Sequence, residues 1–123
     1  VIIDEHQNVL AATGNNSIGE NDPTGHAEMI AMRIAGKKIG NYRLLNSTIY
    51  VTIEPCVMCA GAMVHARIDH LVYGAPDPKT GGVVSCYQVG GDAKLNHQFD
   101  VRGCVLAEEC AEFLTSFFRE KRA

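Results

Sequence analysis

Residues 48–66 read TIYVTIEPCVMCAGAMVHA, and this stretch decides the fold. Its first half, Thr48 to Ile53, is β-branched and aromatic and lies between polar residues, which predicts a strand. Pro55 then suits the first turn of a helix, and the segment from Cys56 to Ala66 is rich in the helix-forming residues Ala and Met. The stretch therefore predicts a strand followed directly by a helix.

The flanking sequence continues the alternation of strands and helices. We predict short strands at 1–3 and 9–12, a helix from about residue 24 to Gly36, a strand at 68–73, an edge strand at 98–101 and a helix at 106–122. In the first of these helices, Ala27, Ile30, Ala31 and Ile34 recur at helical spacing and predict its buried face. Residues 83–96 carry no clear pattern. The alternation indicates an α/β layered fold with a partly parallel sheet.

Length and composition exclude several classes of protein. The 123 residues are 46% hydrophobic, as expected for a single globular domain spanning 1–123, and no linker or repeat divides them. No segment approaches the roughly 20 apolar residues that span a bilayer, so we predict no membrane association. A net charge of −3 argues against a general polyanion binder. Five cysteines without a secretory segment favour free thiols or metal ligands in the cytoplasm.

Two short segments carry the chemistry. They are His26-Ala27-Glu28, at the start of one predicted helix, and the Pro-Cys-x-x-Cys sequence of residues 55–59, at the start of another. Cys56 and Cys59 are three residues apart and share one helix face, where the helix start lowers the pKa of a thiol. A nitrogen of His26 would complete three ligands of the kind that zinc prefers and leave a fourth position for water. The carboxylate of Glu28 could then move protons without binding the metal.

Each segment alone has a simpler interpretation. A single Cys-x-x-Cys is equally typical of a redox pair or of half a structural zinc knuckle. A histidine and an acidic residue at a helix start often serve only the helix dipole. The combination of the two segments is more specific. We interpret the other cysteines, Cys86, Cys104 and Cys110, as core or incidental thiols.

The combined segments match the signature of the zinc-dependent base deaminases. Over nearly its whole length the chain resembles the bacterial tRNA-specific adenosine deaminases within that group. Matching stretches are Asp22 to Thr24, Asn41 to Leu44, Glu54 to Met63, Asp77 to Gly81, Asn96-His97 and Ala107 to Arg119. The resemblance implies a three-layer α/β/α cytidine deaminase-like fold with a mixed sheet of about five strands. It also implies that an N-terminal helix of the family is missing from this chain.

The resemblance further implies an activity. It makes His26, Cys56 and Cys59 the ligands of one Zn²⁺ per chain, and Glu28 the catalytic proton shuttle. The implied reaction is the hydrolytic deamination of adenosine to inosine at the wobble position of a tRNA anticodon. The implied partners are the anticodon stem-loop and a second copy of the chain in a homodimer.

Four further residues are candidate substrate contacts by the same resemblance. Asn15 matches an asparagine that binds the flipped base, and Asp77, Lys79 and Phe118 fall in segments that line the RNA groove in the family. The alternative for the first three is a solvated loop residue, and for Phe118 it is a core aromatic.

Two other functions stay open from the sequence. One is a zinc deaminase of a free base or nucleoside, such as guanine or cytosine. The other is a non-catalytic, zinc-stabilised RNA-binding subunit. Glu28 argues against the second, because a purely structural zinc site has no need of a proton shuttle.

Overall fold

The computed structural model describes residues 1–15, 18–112 and 115 and contains a five-stranded mixed sheet. The strands are β1 (Ile2–Ile3), β2 (Val9–Ala11), β3 (Thr48–Ile53), β4 (His70–Ala75) and β5 (Asp100–Arg102). Their order across the sheet is β2-β1-β3-β4-β5. Strand β1 pairs antiparallel with β2 and β3, whereas β3, β4 and β5 are parallel. The mixed sheet of five strands confirms the prediction.

Two helices connect the strands. Helix α1 (Ala27–Ile39) lies between β2 and β3, and helix α2 (Val57–Ala66) forms the crossover between the parallel strands β3 and β4. Residues 107–112 are also helical, but most of the helix predicted at 106–122 lies outside the described residues. In the described part of the chain, no helix is long and apolar enough to cross a bilayer.

The layers follow from which side chains are buried together. One face of the sheet contributes Ile2, Ile49 and Leu71 to a buried cluster that also holds residues of α1 and α2. Side chains alternate along a strand, so Gly74 lies on the face opposite Leu71. A Cβ on Gly74 would lie 2.4 Å from Sγ of Cys110, which belongs to the helical residues 107–112. Helical segments therefore cover both faces, as the α/β/α prediction requires.

Helix α1 differs from the prediction at both ends. Asp22 accepts hydrogen bonds from the amide and hydroxyl of Thr24, which forms a turn ahead of the helix rather than its first turn. The helix passes through Gly36 and ends at Ile39, followed by the C-cap Gly40, whose φ of 71° is the left-handed conformation that glycine tolerates best. The predicted buried face is also wrong in part. Ile34 is 44% exposed, and the buried residues of this helix are Ala31, Met32 and Ala35.

Smaller corrections concern α2 and the last two strands. Helix α2 begins at Val57 with Cys56 as its N-cap, one residue later than predicted. Strands β4 and β5 each begin two residues later than predicted, at His70 and Asp100. Cys86 and Cys104 are exposed, as expected of incidental thiols, and Cys110 is half-buried.

Candidate metal centre

The starts of α1 and α2 meet at one place. His26 is the N-cap of α1 and Cys56 is the N-cap of α2, and neither side chain is used to cap its own helix. Both side chains therefore remain available to each other. Nδ1 of His26 lies 3.6 Å from Sγ of Cys56 and 3.5 Å from Sγ of Cys59.

These three atoms fit a tetrahedral zinc ion. All three lie within 4.8 Å of one another, and among the described residues they form a group of the size and composition that holds a metal. Zinc bonds of about 2.3 Å to sulfur and about 2.0 Å to nitrogen, at tetrahedral angles, place nitrogen and sulfur about 3.6 Å apart. The observed nitrogen–sulfur distances agree with this value. Three donors also leave one tetrahedral position for a fourth ligand.

The electrostatics of the cluster favour a cation. Cys59 is fully buried. Burial raises the pKa of its thiol far above the usual range, and the nearby charges of Glu28 and Cys56 raise it further, so the lowered thiol pKa predicted from the helix start is wrong for Cys59. A bound divalent cation reverses this balance because a coordinating thiol is deprotonated. The N-terminal ends of α1 and α2 also stabilise negative charge at this position.

Glu28 lies beside the three donors without belonging to their group. It occupies the first turn of α1, two residues after His26, and is half-buried. Its carboxylate is close enough to the Cys59 thiol for its charge to raise the pKa of that thiol. A carboxylate adjacent to a metal site but outside its ligand set is placed to exchange protons with whatever occupies the open position.

The loop after β2 also reaches the start of α1. The hydroxyl of Thr13 donates a hydrogen bond of 2.7 Å to the carbonyl oxygen of Ala27, the residue between His26 and Glu28. Asn15 follows two residues later and is exposed. Thr13 had no role in the sequence predictions, since nothing in its local sequence distinguishes it from other polar loop residues.

The loop that carries Asp77 and Lys79 is held by its own hydrogen bonds. The Asp77 carboxylate accepts from the amides of Lys79 and Thr80 and from the Thr80 hydroxyl, and these bonds lower the pKa of Asp77, with the Thr80 hydroxyl contributing most. The Asp77 carboxylate therefore stabilises the turn formed by residues 77–80. Lys79 is exposed, and Phe118 lies outside the described residues.

Glu54 is a buried carboxylate whose role could not be predicted from the sequence. It is 2% exposed and immediately precedes Pro55 and Cys56. Burial raises its pKa, but hydrogen bonds from Ser85, Val84 and Asp77 lower it more, to a net value of about 2. The signal in the sequence was a charged residue directly between an apolar strand and the Pro-Cys segment.

This sheet, with two helix starts converging on a His-Cys-Cys group, defines the class of deaminases with the cytidine deaminase-like fold. The MafB19-like deaminase family matches residues 1–122. A tRNA-specific adenosine deaminase of Haemophilus influenzae is 52% identical over 122 residues, which cover 99% of this chain and 70% of that protein. The chain therefore belongs to the family of the tRNA-specific adenosine deaminases.

Solved structures share this fold. A structure from a study of A-to-I editing by tRNA:A34 deaminases at the wobble position is similar, with a TM-score of 0.86 and 40% identity. The match covers 91% of this chain and 80% of that one. Guanine deaminase from Bacillus subtilis is more distant, with a TM-score of 0.60 and 30% identity over 94% of this chain and 75% of that one.

Proposed function

We propose that this chain is a zinc-dependent hydrolase that converts adenosine to inosine at the wobble position of a tRNA anticodon. The observation that carries the proposal is the meeting of His26, Cys56 and Cys59 at distances suited to one Zn²⁺, with Glu28 beside them. Relatives named for the tRNA reaction support the choice of substrate.

The metal and the carboxylate have separate roles. When bound, zinc lowers the pKa of water to about 7 and so supplies a nucleophile at neutral pH. His26, Cys56 and Cys59 would hold the ion, with Cys59 as its fully buried ligand. Glu28 is free to carry protons because it is not one of the ligands.

The proton balance of the reaction assigns Glu28 two successive tasks. Water adds to C6 of adenine, and the Glu28 carboxylate takes a proton from that water and passes it to the adjacent ring nitrogen N1. Glu28 then helps transfer the second proton to the departing amino group, which leaves as ammonia. Water is consumed and inosine is produced with no net change at the protein.

The substrate contacts follow the resemblance to the family. Asn15 would hydrogen-bond the flipped base, while Asp77, Lys79 and Phe118 would line the groove for the anticodon loop. Recognition of a single-stranded loop depends on a shaped pocket and unstacked bases more than on a long basic track, which agrees with the net charge of −3. We also propose that the enzyme is a cytoplasmic homodimer.

The direct test is inosine formation in an anticodon stem-loop with wobble adenosine, using the zinc-loaded full-length protein. A stem-loop with guanosine at the same position is the matched control. We expect inosine only in the adenosine stem-loop. No inosine at micromolar enzyme would contradict the proposed substrate.

Deamination of a free base is the second candidate, because a guanine deaminase is also similar to this chain. Turnover of guanine, cytosine or adenosine is measured as ammonia release under the same conditions. We expect the stem-loop to be deaminated faster than any free base or nucleoside. Faster turnover of guanine would favour the second candidate.

A further inference from the structure

The Glu54 carboxylate is bound by one segment of the chain, residues 77–85. Its Oε1 accepts from the amide of Asp77 at 3.1 Å and from the hydroxyl of Ser85. Its Oε2 accepts from the amides of Val83, Val84 and Ser85 at 3.2, 2.9 and 2.9 Å. We name residues 77–85 the clamp loop. A single buried carboxylate thus binds both ends of this loop.

Backbone hydrogen bonds hold the clamp loop against residues 55–57, which include the ligand Cys56. The amide of Gly82 donates to the carbonyl oxygen of Pro55 at 2.7 Å, and Gly81 forms an antiparallel bridge with Cys56. The approach is too close for side chains, because a Cβ on Gly81 would lie 2.4 Å from the Glu54 carboxylate. A Cβ on Gly82 would lie 2.6 Å from the backbone nitrogen of Val57.

The Glu54 side chain accepts more hydrogen bonds than are needed to end a strand. The amide of Glu54 already continues the sheet by donating to Ala75 at 2.8 Å. The side chain is buried, and in the described part of the chain its partners are hydrogen-bond donors of the clamp loop rather than cations. A buried carboxylate is stable only when donors replace the water that it loses. The clamp loop supplies those donors and is ordered in return.

We infer that Glu54 is a positioning residue, which fixes the clamp loop at a set distance from Cys56. The inference rests on the proposed function, in which Asp77 and Lys79 of this loop contact the RNA. A loop held rigidly beside the metal ligands presents its RNA contacts in place before the substrate arrives. Loss of that order weakens binding of the stem-loop more than it slows the chemical step.

Two variants test this role by different routes. Glu54→Gln keeps the size of the side chain but turns donor hydrogens toward backbone amides that also donate. Ser85→Ala removes one hydroxyl donor and leaves the carboxylate in place. Asp4→Asn is the matched control, because Asp4 also accepts backbone amides, those of His6 and Asn8, but does so in the turn between β1 and β2.

The measurements are the zinc content of each variant and its kcat and KM on the adenosine stem-loop. We expect full zinc in every variant, and KM raised about tenfold by Glu54→Gln and about threefold by Ser85→Ala, with kcat within about threefold of wild type. Asp4→Asn should match wild type. If Glu54→Gln does not fold, the zinc content, kcat and KM of Ser85→Ala alone test the positioning role.

Three outcomes overturn the positioning role. They are an unchanged KM in the zinc-loaded variants, a loss of kcat at constant KM, and a loss of zinc in Ser85→Ala. Failure of the proposed function gives a different result, because wild type would then form no inosine in the stem-loop.

Discussion

Replacement of Cys59 by serine is the sharpest test of the metal centre. Cys59 is fully buried, and its sulfur lies 3.5 Å from Nδ1 of His26, so Cys59→Ser changes one donor atom with little change in volume. Structural zinc binds to small zinc-finger peptides with a binding free energy of about 10 kcal/mol or more. Loss of one of three protein donors should therefore weaken binding by about 3 kcal/mol, which is roughly a hundredfold.

Loss of the Cys59 sulfur should lower both the affinity for zinc and the stability of the zinc-bound protein. Ligand binding stabilises the native state in proportion to the logarithm of affinity, so at a fixed saturating zinc concentration the variant should lose about 3 kcal/mol of zinc-dependent stability. For a domain of this size the melting temperature should fall by about 10 °C. The assays are chelator competition for zinc and thermal unfolding with and without chelator.

Cys86→Ser is the matched control for that experiment. Cys86 is exposed, and its thiol contacts the carbonyl oxygen of Pro78 rather than the cluster, so this variant should bind zinc as wild type does. Wild-type zinc affinity in Cys59→Ser would refute the assignment of Cys59 as a ligand. Equal losses in the two variants would refute it as well.

Two further predictions concern the clamp loop. Gly81→Ala should lower the free energy of unfolding by about 1–3 kcal/mol in urea titrations, because its Cβ would collide with the Glu54 carboxylate. Gly61→Ala, which meets nothing within 4 Å, should leave stability unchanged or raise it by up to about 1 kcal/mol, and equal losses in both variants would contradict the steric argument. The pKa of Asp77 should be below its usual range by NMR titration and should rise in Thr80→Val, since the Thr80 hydroxyl is the main cause of the shift. The stabilisation from Asp77 is therefore complete above the usual aspartate pKa and is lost as the pH falls through the native value, and an unshifted Asp77 would contradict it.

Local sequence was enough to predict most elements but not their boundaries. The run from Thr48 to Ile53 is a strand because its residues favour one, whereas β4 begins late because the end of α2 takes up the first residues of the predicted strand. Arg67 adopts a left-handed conformation at the end of α2, and the amide of Ile68 donates to Met63 of that helix. Ile68 therefore closes the helix and is buried there, although its residue type suggested a strand.

The candidate site was likewise predictable from the sequence only in part. The donor types and their spacing in the sequence indicated a metal centre at His26, Cys56 and Cys59, and the structure brings these side chains together across 30 residues of chain. Glu54 could not be assigned a role from sequence, because its donors lie 23 to 31 residues further along. A charged residue at the end of a strand is usually solvated, and only the tertiary fold buries this one.

Glu28 is the proposed proton carrier at a zinc site that deaminates wobble adenosine. The most direct measurement is zinc content together with inosine formation in the adenosine stem-loop for wild type and Glu28→Ala. We predict one zinc per chain in both proteins, and a rate of inosine formation lower in Glu28→Ala by about two to four orders of magnitude, as expected for loss of a general acid–base. Inosine formation at the wild-type rate in zinc-loaded Glu28→Ala would contradict the account.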